Sequence, residues 1–598
     1  MLLSALPPEI IYLIATHLPT ASALAYLART CRRLHHIIAS EDWRIFKAFV
    51  NSRFHNVPTP PLWKDAAQAL TSRSRALDKH AVVGRFVLRP LTAEQLGGSP
   101  QATRGDNPTH GYRPAIDSYE IWSGPSWHDR REVLTWGAAH ELVLQIRTTG
   151  SRKSEKLIVF NDLEHISSHD DICGIHLLRP EHKSKAPDQE HLIFGRMRGE
   201  LIHLAISPEN HSYEHKQKFQ TSGLEIERTD IGDGPEPILA AHLSNGTIAF
   251  YSTTTDEPEV QDFARLHIQA GSPGRNRSSK FLSSKRFAVG TGRSDDAVSI
   301  STISQERISL DREISADFLG LDTSGLAKRA TVTAIAPLDG QNSGAAGNAF
   351  LAAWGDDAVR LHDIRSHEPY EMIYRDIADQ NPVYCIHPFG HDRFVLGAGG
   401  DAVLKIFDLR MPNTYSYLAA KPQQRLRTNG SSSENPPRSQ PYIGYPSKDL
   451  SLFLSFNTPS HNETTRSRAS RHRYRGPIYT MSSPSLLSPT IYTGIAGGVM
   501  RLDFASTDDL TGPNQDWYRN TLDLYPEPRA GGSKNAAEVL ELSGYERPDS
   551  RDTTTCSKLR TQQPFWAVDD RGIANEQATG WDRRWKPLDE PGAWRRRD

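Results

Sequence analysis

The sequence predicts an α + all-β chain: a short unit of three helices, a helical linker, and a long array of small repeated sheets. Three observations predict it. Apolar residues recur at helical spacing through residues 6–50 and again through 61–77. Beyond them, a strand–turn–strand pattern ending in Asp returns about every 45 residues. The composition, 37% hydrophobic and 24% charged, is that of a chain whose greater part buries a core.

The length of 598 residues suggests about four domains, although one repeat architecture absorbs several of them. Gly 42 and Pro 39 give 81 of 598 residues, too few for a collagenous or wholly disordered chain. Lys and Arg number 70 against 71 Asp and Glu, a net charge of −1. Such a balance offers no global field to a nucleic acid or an anionic membrane, so an electrostatic partner must be read by a local patch. Cys31, Cys173, Cys385 and Cys556 lie far apart with no CxxC, which argues against a zinc ribbon, a thioredoxin-like pair or a disulfide scaffold. A reducing compartment, cytoplasmic or nuclear, is the expectation. The start MLLSALPPEIIYLI has no basic n-region and is interrupted by Pro7, Pro8 and Glu9, unlike a signal peptide. No run of ~18 apolar residues predicts a membrane-spanning helix.

In the helical unit, Ile10, Ile14 and Leu18 share one face of a first helix. Pro7 and Pro8 stand where proline is tolerated, and Pro19 ends the helix. Thr20 is placed to cap a second helix, in which Leu24, Leu27, Cys31, Leu34 and Ile38 make a continuous stripe. Ser40 is placed to cap a third, carrying Trp43, Phe46 and Val50. Three short helices are marginal alone. Periodicity by itself therefore suggests a helical cap on a larger domain.

The wording of this segment is more specific. LPPEIIYLIATHL, then TCRRLHHII, then Trp43 resembles the F-box, with Leu6, Pro7, Glu9, Ile10, Leu18, Pro19, Cys31, Arg32, Leu34 and Trp43 at matching positions. Ala21-Ser22-Ala23 departs from the acidic residue often found before the leucines. The resemblance implies docking to a Skp-type adaptor, and through it to a cullin–RING ubiquitin ligase. The implied contact residues are Leu6, Pro7, Pro8, Ile10, Ile14, Leu18, Leu24, Leu27, Cys31, Leu34 and Trp43. For Leu6, Pro7, Ile10, Leu24 and Leu27, a partner-facing surface and the internal core of the three helices are equally compatible readings.

The segment 51–115 reads as a linker. Its start is proline-rich, Leu62, Ala66, Ala69, Leu70 and Leu77 place a helix over 61–78, and 97–116 reads as an exposed loop. From Ile116 to Gly137 the chain resembles WD-repeat proteins of the fungal F-box type.

AAWGDDAVRLHDIR (352–365) and GAGGDAVLKIFDLR (397–410) align with an offset of 45 residues. Weaker copies cover 192–207, 238–252, 287–302 and 491–506, and ELVLQIR (141–147) makes a seventh. Strand, tight turn, strand and Asp at this period form the plan of a WD-repeat β-propeller blade. Gly355-Asp356-Asp357 and Gly399-Gly400-Asp401 supply the turn chemistry. His362 and Phe407 stand where the family usually has Trp, and the opening Gly-His is absent. The blade count is therefore seven within a range of six to eight, over 116–410 and 477–546, with a closing strand near 538–546. A two-sheet sandwich is the alternative that the period opposes.

Residues 411–476 carry 10 Lys and Arg against 3 Asp and Glu. A disordered basic insertion is expected. A nuclear-import or nucleic-acid patch at RSRASRHRYR, and phosphorylation at Ser467 or Ser470, are the other readings. Residues 547–598 form a C-terminal tail, packed on the propeller or hanging free.

No catalytic constellation is found. His387, His391 and Cys385 sit at a blade turn broken by Pro388 and Gly390, unsuited to a metal. The glycine-rich GAGGDA and GTGRSDD precede strands rather than helices. No catalytic residue, cofactor or metal is expected, and the chain is read as no enzyme. The functional expectation is a ligase substrate adaptor whose propeller takes a protein substrate, phosphorylated motifs being one option. Neither membrane nor nucleic acid is an expected partner. A non-ligase scaffold is the alternative. HDIR and FDLR also resemble the WD-x-Arg box that joins propellers to another cullin class, although both lack its Trp.

Overall fold

A computed structural model describes residues 3–54, 57–78, 82–87, 93–98, 113–150, 153–180, 189–268, 278–304, 307–319, 330–338, 347–375, 381–390, 392–399, 403–410, 451–453, 477–495, 498–505, 509–510, 512–524, 539–545 and 559–562. Four helices come first: α1 (Pro8–Thr16), α2 (Ala21–Thr30), α3 (Arg32–Arg53) and α4 (Trp63–Asp78). A fifth, α5 (Gln515–Leu522), follows the last repeat. The remaining elements are almost all strands.

Local chemistry sets the helix ends. Pro8 opens α1, where its missing N–H costs nothing. Thr20 caps α2, its hydroxyl accepting from the Ala23 N–H at 3.2 Å. The second boundary differs from the sequence expectation. Cys31 is extended (φ −157, ψ 163) and splits the Leu24–Ile38 stripe between two helices. At Ser40 the chain stays helical, because its hydroxyl donates back to the Ile37 carbonyl at 2.8 Å instead of capping forward.

Seven sheets of at least four strands make the propeller. Six of the seven repeat copies fall on the second and third strands of these sheets, in chain order, and the short copy ELVLQIR falls on the third strand of the first sheet. In the first sheet these strands are Arg130–Ala138 and Glu141–Thr148; in the fifth, Ala349–Trp354 and Val359–Asp363; in the sixth, Arg393–Ala398 and Val403–Asp408; in the seventh, Thr490–Ile495 and Gly498–Asp503. In the fifth-sheet turn, the positive φ falls on Asp357 (φ 63) rather than on a glycine. Asp356 there accepts two hydrogen bonds from Arg360 at 2.8 and 2.7 Å.

Ring closure draws on both ends of the chain. Val82–Val87, from the segment read as linker, pairs antiparallel with Gly498–Asp503 in the seventh sheet, Val83 opposite Asp503. Val539–Tyr545, near the expected closing strand, adds outside it, and Leu559–Gln562 lies beyond that. Glu94–Gly97 adds in parallel to the edge of the first sheet. Ser451–Phe453 is the outer strand of the sixth sheet; the rest of the basic insertion, 411–450 and 454–476, lies outside the described residues. So does the tail, apart from 559–562.

The seam between the first and seventh sheets holds a buried ionic network. Arg130 binds Glu120 at 2.5 Å and also Glu132. Arg147 reaches Glu132, Tyr492 at 2.5 Å and Asp523 at 3.1 Å. Burial works against the Glu132 charge, but Arg147 and Arg130 outweigh it and hold the carboxyl below its ordinary range.

Helices and propeller share a single core. Leu24, Ile38, Phe46, Phe49 and Leu70 lie in one buried cluster with Trp127, Leu487 and Leu510 of the propeller region and Leu522 of α5. Arg73 of α4 is the polar anchor. It donates to the carbonyls of Leu486 (2.6 Å) and Ser488 (3.0 Å), and its guanidinium lies 5.1 Å from the Phe389 ring centre. Burial lowers its pKa to about 10, so it remains charged at neutral pH. Trp127 donates to the Leu62 carbonyl at 3.1 Å, and Trp517 to Asp65 at 3.2 Å. Trp127, Leu487 and Phe389 all follow the innermost strand of their sheets. The helices therefore sit on the first-turn end of the ring, under the first, sixth and seventh sheets.

Candidate functional site

Helix α1 has the sequence PEIIYLIAT, and five consecutive residues, Ile10 to Ile14, are large and apolar. One helix face cannot bury them all. Ile11 and Ala15 turn into the core and are fully buried. Ile10 (44% exposed), Leu13 (56%) and Ile14 (37%) face outward, with Leu3 (43%) just ahead of the helix. Tyr26 on α2 is 67% exposed. This is the largest group of exposed large apolar residues among the described residues. The remaining ones, Tyr213, Leu310 and Leu486, are scattered over the propeller region.

The residues singled out in the sequence divide three ways. Pro7, Pro8, Ile10 and Ile14 are exposed on or beside this face. Leu6, Leu18, Leu27 and Cys31 are half-buried, Leu18 and Leu27 against the shared core. Leu24 and Leu34 are buried, and Leu24 belongs to the shared core. Trp43 lies on α3, its side chain outside the described residues. Leu3, Leu13 and Tyr26 were not singled out. The unbroken apolar run of α1 is the signal for Leu13: a helix apolar on all sides needs cover on all sides.

Arginines bracket α1. Arg33 donates to the Leu6 carbonyl at 3.0 Å, ahead of the helix. Arg44 stands 5.6 Å from the Tyr12 ring centre. Arg53 donates at 2.8 Å to the carbonyls of Thr16 and Leu18, satisfying orphan acceptors at the C-terminal end.

Residues 3–46 match the F-box-like family model. The match covers the α1 face, α2 and most of α3. A comparison with curated proteins finds no match. Among solved structures, the chain is similar to Sqt1 from Chaetomium thermophilum, with TM-score 0.38 and 13% identity, covering 62% of this chain and 80% of that one. The same protein bound to the N-terminus of the ribosomal protein L10 aligns with TM-score 0.37 and 12% identity, over 62% and 80% of the two chains. The chain thus joins an F-box-like helical region to a seven-bladed β-propeller.

Other polar groups that drew attention have architectural partners. Asp363 accepts from the Arg365 backbone N–H and Nε at 3.0 Å and from Nη2 at 2.7 Å. Asp408 and Arg410 repeat that bracket at 2.9, 3.0 and 2.8 Å. Each HDIR/FDLR guanidinium is folded back on the Asp two residues earlier. His387 pairs with Ser483 at 2.9 Å, and burial with Lys280 nearby lowers its pKa to about 4. Cys385 donates to the Ile478 carbonyl at 3.3 Å. His391 lies outside the described residues. No group of three or more His, Cys, Asp or Glu side chains suited to a metal occurs among the described residues. No described helix is long and apolar enough to cross a membrane.

Proposed function

We propose that the chain is the substrate-recognition subunit of a Skp–cullin–F-box ubiquitin ligase. Its F-box-like helices dock a Skp-type adaptor, and its propeller holds the substrate. The observation that carries this reading is the exposed apolar face of α1, within residues that match the F-box-like model. Three exposed large aliphatic side chains on one short helix expose apolar surface that an added protein surface covers favourably. A helical cap serving only the propeller would carry polar residues on this outer face and keep its apolar ones inward, like Ile11 and Leu24.

Mechanically, the propeller presents loops at the end opposite the helices, while the adaptor approaches from the helical end. The shared core and the Arg73 anchor fix the two ends relative to each other. A substrate held on the propeller would thereby stand at a set distance from the ligase machinery. The gain is effective concentration of substrate lysines, with no bond chemistry by this chain. Such a ligase subunit works in the cytoplasm or nucleus, and its substrate is a protein, with phosphorylated motifs as one class to test.

The test is co-purification of a Skp-type adaptor and its cullin with the intact chain and with an Ile10→Asp/Leu13→Asp variant. Both positions are exposed, so the variant keeps its fold. Capture by the intact chain and loss in the variant is the expected result. Absence of adaptor from both leaves the scaffold as the better account.

A further inference from the structure

The second sheet carries a pair of histidines that the α1 face does not use. His191 lies on its second strand (Glu190–Arg196) and His203 on its third (Leu201–Ser207). Side chains alternate along a strand, so His191 shares a face with Ile193, the cross-strand partner of His203. That face turns toward the third sheet, since Ile193 and Leu201 pack with Leu239 and Ala241. Both imidazoles are half-buried, and Nδ1 of His191 stands 3.2 Å from Nε2 of His203.

Gln217 fixes which nitrogen of His203 holds the proton. The outer strand (Ser212–Phe219) bulges between His215 and Gln217, so that His215 opposes Leu204 while Gln217 opposes His203. Without the bulge, those two side chains would share one face. Nε2 of Gln217 donates to the carbonyls of Thr255 and Glu257. Its Oε1 therefore faces Nδ1 of His203, at 3.0 Å, and accepts the proton held there. Nε2 of His203 is left with a lone pair directed at His191. A ring held by one nitrogen to a second-shell oxygen, with the other nitrogen presented, is how proteins orient a metal-binding histidine.

We propose that His191 and His203 form a two-histidine site for a zinc ion, which takes the place of the proton they share. With Zn–N bonds of about 2.0–2.1 Å, two nitrogens of a tetrahedral centre stand about 3.3 Å apart, close to the spacing found. A square-planar metal at similar bond lengths needs about 2.9 Å, which favours zinc over copper or nickel. On binding, the His191 proton passes from Nδ1 to Nε2 through water, both rings stay neutral, and both lone pairs meet the ion. Burial leads in lowering both imidazole pKa values, with Lys216 adding to it, so neutral rings await the ion at pH 7. No third His, Cys, Asp or Glu completes the set among the described residues, so water fills the other positions. The site does not depend on the adaptor reading.

The experiment titrates zinc into the chelator-treated full chain against a chromophoric competitor, beside His191→Asn, His203→Gln and Gln217→Ala, each with its metal-free melting temperature. The native chain is expected to take up one equivalent that each histidine variant binds at least tenfold more weakly. Gln217→Ala keeps both ligands but frees the His203 ring, and is expected to weaken that equivalent about tenfold. Zinc X-ray absorption of the native chain at one equivalent is expected to show two imidazole nitrogens at about 2.0–2.1 Å. No uptake by the native chain, or equal uptake by the native chain and both histidine variants, overturns the proposal and leaves the pair as a hydrogen bond. Should a variant melt below the native chain, the absorption spectrum decides alone, and fewer than two imidazoles on the zinc overturns the site.

Discussion

The indole N–H of Trp354 donates to Nε2 of His362 at 3.2 Å, deep in the fifth sheet. The other imidazole nitrogen, Nδ1, then carries the proton and donates to the Pro369 carbonyl at 2.7 Å. His362 stands where WD repeats usually have Trp, and it stacks on its cross-strand partner Phe350 with rings 19° apart. The equivalent pair in the sixth sheet, Phe394 and Phe407, stacks at 11°. Both sheets carry a stacked aromatic cross-strand pair at this position, and in the fifth sheet an indole sits on the neighbouring strand.

A pH dependence follows from this pair. Burial, with Arg360 and Arg312 nearby, lowers the His362 pKa to about 3, although the Pro369 carbonyl opposes the shift. An unfolded chain protonates near its ordinary value of about 6.5. Between those values the unfolded state binds more protons, so this group's contribution is complete above pH ~6.5 and fades as pH falls toward 3. Melting temperatures of the native chain and His362→Phe at pH 7 and pH 4.5 check it. The variant starts lower, since Trp354 and Pro369 lose a buried partner worth about 1–3 kcal/mol, but it loses less on acidification. Equal losses in both chains would contradict the assignment.

The seam network responds to acid in its own window. Arg147 and Arg130 hold Glu132 ionised below the usual carboxylate range, so its contribution is present above pH ~4.5 and is lost as pH falls through the lowered value. Glu132→Gln leaves two buried arginines short of a counter-charge and is expected to cost about 3–5 kcal/mol at pH 7. Chemical denaturation at pH 7 and pH 3.5 reads this out: the gap between variant and native chain narrows at the lower pH. A gap that stays constant would place the stabilisation elsewhere.

Arg73 is expected to decide how firmly the helices are mounted. Arg73→Ala removes both carbonyl contacts and the ring contact with Phe389, leaving the Leu486 and Ser488 carbonyls without their donor. A destabilisation of about 2–4 kcal/mol is expected, with faster proteolytic release of the helical unit while the propeller persists. Cleavage at the native rate would show that the apolar core alone holds the joint.

Leu24 and Leu13 provide a matched contrast on neighbouring helices. Leu24 is fully buried and Leu13 is 56% exposed. Leu24→Ala is expected to cost about 2–5 kcal/mol, and Leu13→Ala no more than about 0.5 kcal/mol. Thermal melts compare the two directly. A large loss at Leu13 would mean that α1 packs the other way round.

The propeller was legible because its evidence is local. All but the shortest copy, such as FVLGA before Val403–Asp408, carry two short apolar strands around a Gly or Asp turn, all within one hairpin. The closing strand was not, because VVGRFV pairs with residues more than 400 positions away, and nothing nearby announces that pairing. Helix boundaries failed for a different reason. The apolar stripe keeps its phase across Cys31, so periodicity runs straight through the break. Ser40 before two acidic residues has the form of a cap, yet its hydroxyl turns back on its own helix. At the site, the sequence left Ile10 open between a partner-facing surface and the helical core; in the structure Ile10 and Ile14 are exposed, and Ile11 and Ala15 form the inner side. Only the packing partners of a helix that is apolar all round determine which side turns inward.

The most direct measurement of the central claim is a calorimetric titration of a purified Skp-type adaptor into the full chain, repeated with Leu13→Asp. The account predicts one-to-one binding by the native chain with a negative heat-capacity change, as apolar surface is covered. It also predicts at least a hundredfold weaker binding by the variant at an unchanged melting temperature, because a charge is forced into that interface. Equal binding by both chains, or none by the native chain, would contradict the claim that the α1 face is the docking surface.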